Sequence, residues 1–174
     1  GAKLKYAGTE IVVEELTEAA IRGRGIKLAL FSAGGGTSLE WAPKFVAEGA
    51  VVVDNSSAWR MDAGTPLVVP EVNADAIESH KGIIANPNCS TIQMVVALKP
   101  LHDHAGLRRV VVSTYQAVSG KGQKGIDQLI AEEEAEAVRP GAFKNPAAPT
   151  QVGKAFAHVI HRNALPHIDD FTPN

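Results

Sequence analysis

The chain has 174 residues, of which 45% are apolar, so it is long enough to bury the core of one domain or of two small lobes. Seventeen basic residues against nineteen acidic ones give a net charge of -2 without a long block of like charge, which argues against a nucleic-acid-binding protein. The chain has one cysteine and no apolar run near the roughly 20 residues of a membrane span, so we expect a cytoplasmic protein without an intrachain disulfide.

The first half of the chain alternates segments typical of strands with segments typical of helices. β-branched runs predict the strands, and apolar residues at helical spacing predict a helix that Thr37 or Ser38 caps and Gly49 ends. Strand, helix and strand at this spacing form a βαβ unit with a parallel sheet. The predicted order is strand 10–14, helix 17–22, strand 26–31, a helix around 39–46, strand 50–54, and short strands at 67–69 and 82–85.

The second half begins with a periodic helix, predicted over 90–102, and continues with a strand over 109–116. A turn at 119–122 leads into a helix predicted over 123–138, and the acidic run within it is typical of a solvated helix face. Proline, alanine and asparagine dominate from 139 to 149, which predicts a loop.

Cys89 is the residue with the clearest chemical signal, because it lies at the predicted start of a helix. The unpaired N–H groups and the dipole of a helix start favour an anion, and a thiol whose pKa falls from about 8.5 to about 7 is half thiolate at neutral pH. The polar neighbours Asn88, Ser90 and Thr91 favour a nucleophile, and Asn88 could also donate to a developing oxyanion. The alternative is a buried structural cysteine, which is common.

Other candidate residues follow predicted strands, where open α/β sheets bind ligands. The glycine run at 34–36 is either part of a ligand site or a tight turn, and no G-x-G-x-x-G occurs near the N-terminus. Arg60 is either an anion clamp or a solvated surface residue. Gln116 either orients a substrate carbonyl or caps a strand end. His158 and His161 could share a helix face, but no third ligand is evident, so we predict no metal site.

Five segments taken together resemble the aspartate-semialdehyde dehydrogenase family, in order and with family-like spacing over nearly the whole chain. The N-P-N-C-S-T and T-Y-Q-A-V-S-G motifs are specific, whereas the glycine run alone is not. The resemblance implies an α/β fold in which 1–87 form the C-terminal part of a Rossmann-like NADP-binding lobe and 88–174 begin an α+β catalytic and dimerisation lobe. The segments are 31–35, 53–60, 69–73, 85–91 and 114–120.

The resemblance also implies a reaction and a set of site residues. The reaction is the NADPH-dependent reductive dephosphorylation of L-aspartyl 4-phosphate to L-aspartate 4-semialdehyde, a step toward lysine, methionine and threonine, carried out by a homodimeric oxidoreductase. Cys89 matches the nucleophile that forms an acyl-thioester, Gln116 matches the residue that positions the substrate, and Arg60 and Asn88 match phosphate contacts. The positions that match the cofactor side are Ser32, Ala33, Gly34, Asn55, Ser119 and Gly120.

The sequence departs from the family pattern at both ends. The glycine-rich phosphate loop expected before Lys3 and the substrate-binding arginine and histidine base expected after Asn174 are absent, and none of the six histidines lies in a matching motif. We therefore expect the middle of a longer enzyme, inactive by itself, with unpaired sheet edges. Two alternatives stay open: a related phosphorylating reductase such as N-acetyl-glutamyl-phosphate reductase, and a non-catalytic remnant or interaction fragment.

Overall fold

A computed structural model of the protein describes residues 1–141 and 155–166. The chain divides into two compact units, Gly1–Val111 and Val112–Asn174. Most of the predicted loop, from residue 142 to 149, lies outside the described residues. No helix within the described ranges combines the length and the apolarity needed to cross a bilayer.

The first unit begins with a β-hairpin, of which the sequence predicts only the second strand. β1 (Lys3–Tyr6) pairs antiparallel with β2 (Thr9–Val12). Ala7 and Gly8 at the turn have φ angles of 47° and 81°. Positive φ at both central residues is the requirement of a type I′ turn, whose twist suits a hairpin. β1 carries two lysines and lacks the β-branched residues that mark a strand in sequence.

A three-stranded parallel sheet follows, and it confirms the predicted βαβ unit. The ends of the strands are level, because Phe31 is the register partner of Asp54 and Asp54 is the register partner of Ala85. The residues that come directly after the three strands therefore lie side by side. The strands, in spatial order, are β3 (Leu28–Phe31), β4 (Val51–Asp54) and β5 (Ile83–Ala85).

Helix α2 (Gly35–Ala47) packs on one face of this sheet. The buried cluster between them consists of Ala29, Ala42 and Val52. The rings of Phe31 and Phe45 meet edge to face, with centroids 5.1 Å apart. These contacts fix the direction in which the loop between β3 and α2 leaves the sheet.

The predicted cap of α2 is wrong, because neither Thr37 nor Ser38 precedes the helix. The N-cap is Gly34, whose φ of 92° favours glycine, and no side chain caps this end. Ser38 lies inside the first turns, where it is buried, and its hydroxyl accepts a hydrogen bond of 2.9 Å from Trp59 Nε1. Its polar group serves a tertiary contact, which sequence alone does not distinguish from a cap.

Helix α4 (Cys89–Ala105) confirms the predicted helix and extends it by one turn at its C-terminal end. The side chain of Asn88 caps its start, and Gly106, in the left-handed region at φ 66°, caps its end. The predicted strand at 67–69 is only a single bridge between Leu67 and Ala85. The remaining helices of the first unit are α1 (Glu18–Ile21), α3 (Pro70–Asn73) and a 3-10 helix (Ala74–Ser79).

The second unit contains a 3-10 helix (Val118–Lys121) followed by α5 (Gln123–Val138), which confirms the predicted helix. The two pack closely at Gly125, where an added Cβ would lie 2.3 Å from the carbonyl oxygen of Val118. The strand predicted over 109–116 is wrong, since this stretch forms no strand in the described structure. A strand needs a hydrogen-bonded neighbour, and none of the described segments supplies one.

The prediction of a solvated acidic face on α5 is wrong at Glu132, which is fully buried. Its Oε2 accepts hydrogen bonds of 2.8 Å from the main-chain N–H groups of Ile160 and His161. One helical turn earlier, the buried Gln128 binds the main chain at residues 155–156 in the same way. Two polar side chains of α5 thus bind main-chain N–H groups between residues 155 and 161 that a neighbouring strand would otherwise bind.

Candidate functional site

The candidate site lies at the carboxyl edge of the parallel sheet, where three polar residues directly follow the three strands. Ser32 follows β3, Asn55 follows β4 and Asn86 follows β5. Their side chains form a row: Asn86 Nδ2 lies 2.7 Å from Asn55 Oδ1, and Asn55 Nδ2 lies 3.4 Å from Ser32 Oγ. This edge is where parallel α/β sheets bind ligands. The sequence-predicted residues Ser32 and Asn55 are thus brought together, and Asn86 is added to them.

Arg60 spans two members of this row. Its Nε donates to the main-chain oxygen of Asn86 at 2.9 Å, and its Nη2 donates to the main-chain oxygen of Asn55 at 2.9 Å. The guanidinium has five N–H groups, so three of them remain for another acceptor. The side chain is half-buried, and within residues 1–141 and 155–166 no carboxylate lies within ion-pair distance of it. Arg60 therefore keeps an uncompensated positive charge, as an anion-binding residue requires.

The loop that carries Arg60 is held at two points. The fully buried carboxylate of Asp54 accepts hydrogen bonds from the main-chain N–H of Ser56 at 3.1 Å and from its hydroxyl at 2.6 Å. The indole of Trp59 is bonded to Ser38 of α2. Sequence reasoning predicts neither contact. Ser38 is predicted as a helix cap, and its bond to Trp59 joins residues 21 positions apart; the bonds from Ser56 to Asp54 form a turn that no motif marks.

The start of α2 is open to a ligand. Gly34 lacks a side chain to satisfy the first N–H groups of the helix, and an added Cβ at Gly34 or Gly36 would meet no atom within 4 Å. Ser32, Ala33 and Gly34 are all exposed. Exposed helix-start N–H groups beside a serine hydroxyl suit the oxygens of a phosphate or a ribose. The residues present therefore fit part of a dinucleotide.

Cys89 is the first residue of α4 and is exposed, so the alternative of a buried structural thiol is wrong. Asn88 Oδ1 accepts the main-chain N–H of Ser90 at 2.9 Å, which leaves the Nδ2 group of Asn88 as the end that can donate. The Sγ atom lies 4.0 Å from the Ser90 hydroxyl. A thiol in this position is accessible to a substrate and lies at the positive end of the helix dipole.

Three predicted site residues belong to the second unit. Gln116 is exposed, and its Oε1 accepts a hydrogen bond of 3.1 Å from the Thr114 hydroxyl. This contact leaves the amide nitrogen of Gln116 as a donor. Ser119 and Gly120 are exposed in the 3-10 helix that packs on α5. Their position is thus set locally by the close approach at Gly125.

Comparison with known proteins covers both units. The family model "Semialdehyde dehydrogenase, NAD binding domain" matches residues 1–80, and "Semialdehyde dehydrogenase, dimerisation domain" matches residues 98–174. These matches confirm the predicted α/β fold with a Rossmann-like lobe followed by a dimerisation lobe.

Several curated proteins named aspartate-semialdehyde dehydrogenase resemble the chain. The protein from Aquifex aeolicus is 56% identical over 173 residues, which cover 98% of this chain and 48% of that protein. The protein from Bacillus subtilis is 46% identical over 178 residues, covering 100% of this chain and 49% of that protein. The chain therefore spans about half the length of the curated relatives it matches.

Two solved structures also resemble the chain over 99% of its length. The crystal structure of aspartate semialdehyde dehydrogenase II from Vibrio cholerae matches with a TM-score of 0.81 and 42% identity, covering 99% of this chain and 49% of that one. A second crystal structure of that protein, described as complexed with ASA, matches with the same TM-score of 0.81. The likeness therefore extends over both units of the chain.

Proposed function

Because this chain belongs to the semialdehyde dehydrogenase family, we propose that the intact protein is an NADP-dependent aspartate-semialdehyde dehydrogenase. It would convert L-aspartyl 4-phosphate into L-aspartate 4-semialdehyde and phosphate, on the way to lysine, methionine and threonine, as a cytoplasmic homodimer. The observation that carries the proposal is the exposed Cys89 at the first residue of α4, three residues after the carbonyl that holds Arg60. A nucleophile on the segment 86–89 and an uncompensated cation hydrogen-bonded to that segment suit an acyl phosphate.

The first step we propose is attack by the Cys89 thiolate on the acyl carbon of the substrate. The C–S bond forms, the C–O bond to the phosphate breaks, and the phosphate leaves with the electron pair. The chemistry that a bound NADPH supplies is a hydride for the thioester carbon. Cys89 would hold the acyl group as a thioester until it is reduced, and its sulfur would leave as the thiolate when the aldehyde is released. No described residue is assigned as a general base.

Arg60 and Asn88 are proposed to stabilise the negative charge that develops on the leaving phosphate. The local hydrogen bonds of Arg60 use two of its five N–H groups, and that of Asn88 uses only its Oδ1 atom. Three N–H groups of Arg60 and the Nδ2 group of Asn88 therefore remain as donors to the phosphate. Charge-assisted hydrogen bonds of this kind are roughly twice as strong as neutral ones. Gln116, through its amide nitrogen, is proposed to orient the substrate.

Ser32, Ala33, Gly34 and Asn55 are proposed to bind the cofactor, and the family resemblance adds Ser119 and Gly120 as proposed residues near the nicotinamide. The open start of α2 and the row of polar groups at the sheet edge support this placement. NADP rather than NAD is part of the proposal and follows the family resemblance. We further propose a cofactor lobe over 1–87 and a catalytic and dimerisation lobe from 88 onward.

The nucleophile is tested by replacing Cys89, which is the one cysteine of this chain. Cys89→Ala in the intact protein should lower phosphate-dependent NADP reduction by at least about a thousandfold, whereas NADPH binding, followed by fluorescence, should stay within about twofold. Gln93→Ala is the matched control, because Gln93 is an exposed polar residue of the same helix, one turn further along. Turnover by Cys89→Ala close to that of the control would refute the proposal.

Two further measurements separate the alternatives. Iodoacetamide should alkylate the exposed Cys89, and the substrate should protect it; an alkylation rate that the substrate does not change would argue against a nucleophile at the substrate site. Offering N-acetyl-glutamate semialdehyde beside aspartate semialdehyde tests the related reductase, which would turn over the former faster. A non-catalytic fragment would turn over neither, although its fold were intact.

A further inference from the structure

Asn86 is the one residue of the sheet-edge row that no motif assignment gave a role. Its main-chain oxygen accepts from Arg60 Nε, and its side-chain amide binds Asn55 at 2.7 Å. Asn55 supplies the second oxygen that Arg60 contacts. Arg60, Asn55 and Asn86 thus form a closed ring of three hydrogen bonds, two to main-chain oxygens and one between amide side chains.

We propose that Asn86 is a positioning residue for Arg60. The two main-chain oxygens, of Asn55 and Asn86, are here called the carbonyl cradle. The amide contact between the two asparagines sets the separation of these oxygens, and thereby the orientation of the guanidinium toward the phosphate. This inference depends on the proposed function, because the anion is taken to be the phosphate of the substrate.

The geometry explains why the amide contact is needed. The sheet ladder ends at the hydrogen bond of 2.8 Å from the main-chain N–H of Asn86 to the Asp54 oxygen. Beyond it, the oxygens of Asn55 and Asn86 belong to two loops that leave the sheet separately. Apart from the bond that Arg60 itself makes to Asn86, the contact between their side chains directly links those two loops. Without it, the two oxygens can drift apart and Arg60 loses a two-point hold.

The chemistry of the cradle favours anion binding. Neutral carbonyls hold a guanidinium in place without cancelling its charge, whereas a carboxylate would compete with phosphate for it. A free arginine side chain samples many rotamers, and a ligand otherwise has to overcome this loss of entropy. Two fixed donors restrain Arg60 before the phosphate arrives. Loss of Asn86 should therefore weaken phosphate binding more than any other binding step.

The test uses the intact protein and the phosphate-dependent oxidation of the semialdehyde. Asn86→Ala should raise the KM for phosphate about fivefold to tenfold, as expected for one lost hydrogen bond, while the KM for NADP stays within about twofold. Asn73→Ala is the matched control, since Asn73 likewise bonds main-chain groups of the first unit, at Val69 and Leu67. It should change thermal stability without changing the KM for phosphate.

Rescue by guanidinium ion gives a second readout that a merely structural role would not affect. Arg60→Ala should lose phosphate affinity and regain part of it when guanidinium chloride at millimolar concentration fills the carbonyl cradle. In the Arg60→Ala/Asn86→Ala double variant, the half-saturating guanidinium concentration should rise about fivefold or more. If Asn86→Ala does not fold, Asn86→Ser replaces it, because serine also lacks the reach of the amide.

The outcomes separate the two proposals. If Arg60→Ala leaves the KM for phosphate unchanged, the phosphate role of Arg60 in the proposed function is refuted. If Arg60→Ala raises it but Asn86→Ala does not, or if guanidinium rescues both backgrounds at one concentration, the positioning role of Asn86 is refuted and the proposed function stands. The positioning role is also refuted if Asn86→Ala raises the KM for both phosphate and NADP and loses as much thermal stability as the Asn73→Ala control.

Discussion

Replacing Glu132 tests how the second unit is held together. Its carboxylate accepts hydrogen bonds from Gln128 Nε2 at 2.9 Å and from the main-chain N–H groups of Ile160 and His161 at 2.8 Å each. The Glu132 side chain that makes these hydrogen bonds is fully buried. Glu132→Ala would leave three donors without their acceptor. At about 1–3 kcal/mol for each unsatisfied buried group, partly relieved by entering water, the expected loss is about 3–5 kcal/mol.

Glu132→Gln refines the test. The oxygen of Gln128 accepts from the main-chain N–H groups of Ala155 and Phe156 at 3.0 Å, so its amide cannot turn without breaking both bonds. A glutamine at 132 could keep its oxygen on the main-chain donors only by placing its own NH2 group against that of Gln128. One hydrogen bond is then lost, so the expected loss is about 1–2 kcal/mol.

Hydrogen exchange measured by mass spectrometry on the intact protein reports this loss locally, which denaturation of a two-unit chain does not. The amides of Ile160 and His161 should exchange faster in Glu132→Ala than in Glu132→Gln, and slowest in the unchanged protein. Glu133→Ala is the control, because Glu133 is exposed and its replacement should change stability by no more than about 0.5 kcal/mol. Equal exchange in the Glu132→Ala and Glu133→Ala proteins would refute the reasoning.

Two other substitutions test packing near the candidate site. Gly125→Ala places a Cβ 2.3 Å from the Val118 oxygen and should destabilise the second unit by about 1–3 kcal/mol, which faster hydrogen exchange of the α5 amides would show. Gly36→Ala, whose Cβ meets nothing within 4 Å, should leave that exchange unchanged, and equal effects would contradict the contact. Ser38→Ala removes the acceptor of Trp59 Nε1 and should lower the free energy of unfolding of the first unit by about 1–2 kcal/mol. It should also shift the tryptophan emission, and an unchanged emission spectrum would argue against this hydrogen bond.

Regular elements could be predicted from sequence where short-range patterns decide them. The β-branched run that becomes β4 and the periodic apolar residues of α4 carry their own signal, and both elements form where the sequence predicts them. The run at 109–116 has the same strand composition but forms no strand in the described structure. Composition states that a segment is suited to a strand, whereas the presence of a hydrogen-bonded neighbour is a property of the fold.

Only those residues of the candidate site that a sequence motif marks could be predicted from the sequence. The N-P-N-C-S-T motif marks Cys89 and Asn88, and the structure exposes both at the start of α4. Asn86 lies in the same motif, yet its contacts depend on three strands ending level, which no local pattern reports. Glu132 reads as one more acidic residue on a helix, because sequence does not show that main-chain N–H groups 28 residues away face it.

The uncompensated charge of Arg60 also bears on the proposed nucleophile, Cys89. Arg24 shows the other arrangement in the same unit: it is paired with Glu14, and the hydrogen bond and the charge of that carboxylate raise the pKa of the guanidinium. A carboxylate beside Arg60 would lie near the segment 86–89 and would oppose both a thiolate at Cys89 and an incoming phosphate. Neutral carbonyls avoid this conflict, since they orient the cation and leave its field available to both anions. In the proposed reaction, the neutral partners of Arg60 therefore serve the chemistry as well as the packing.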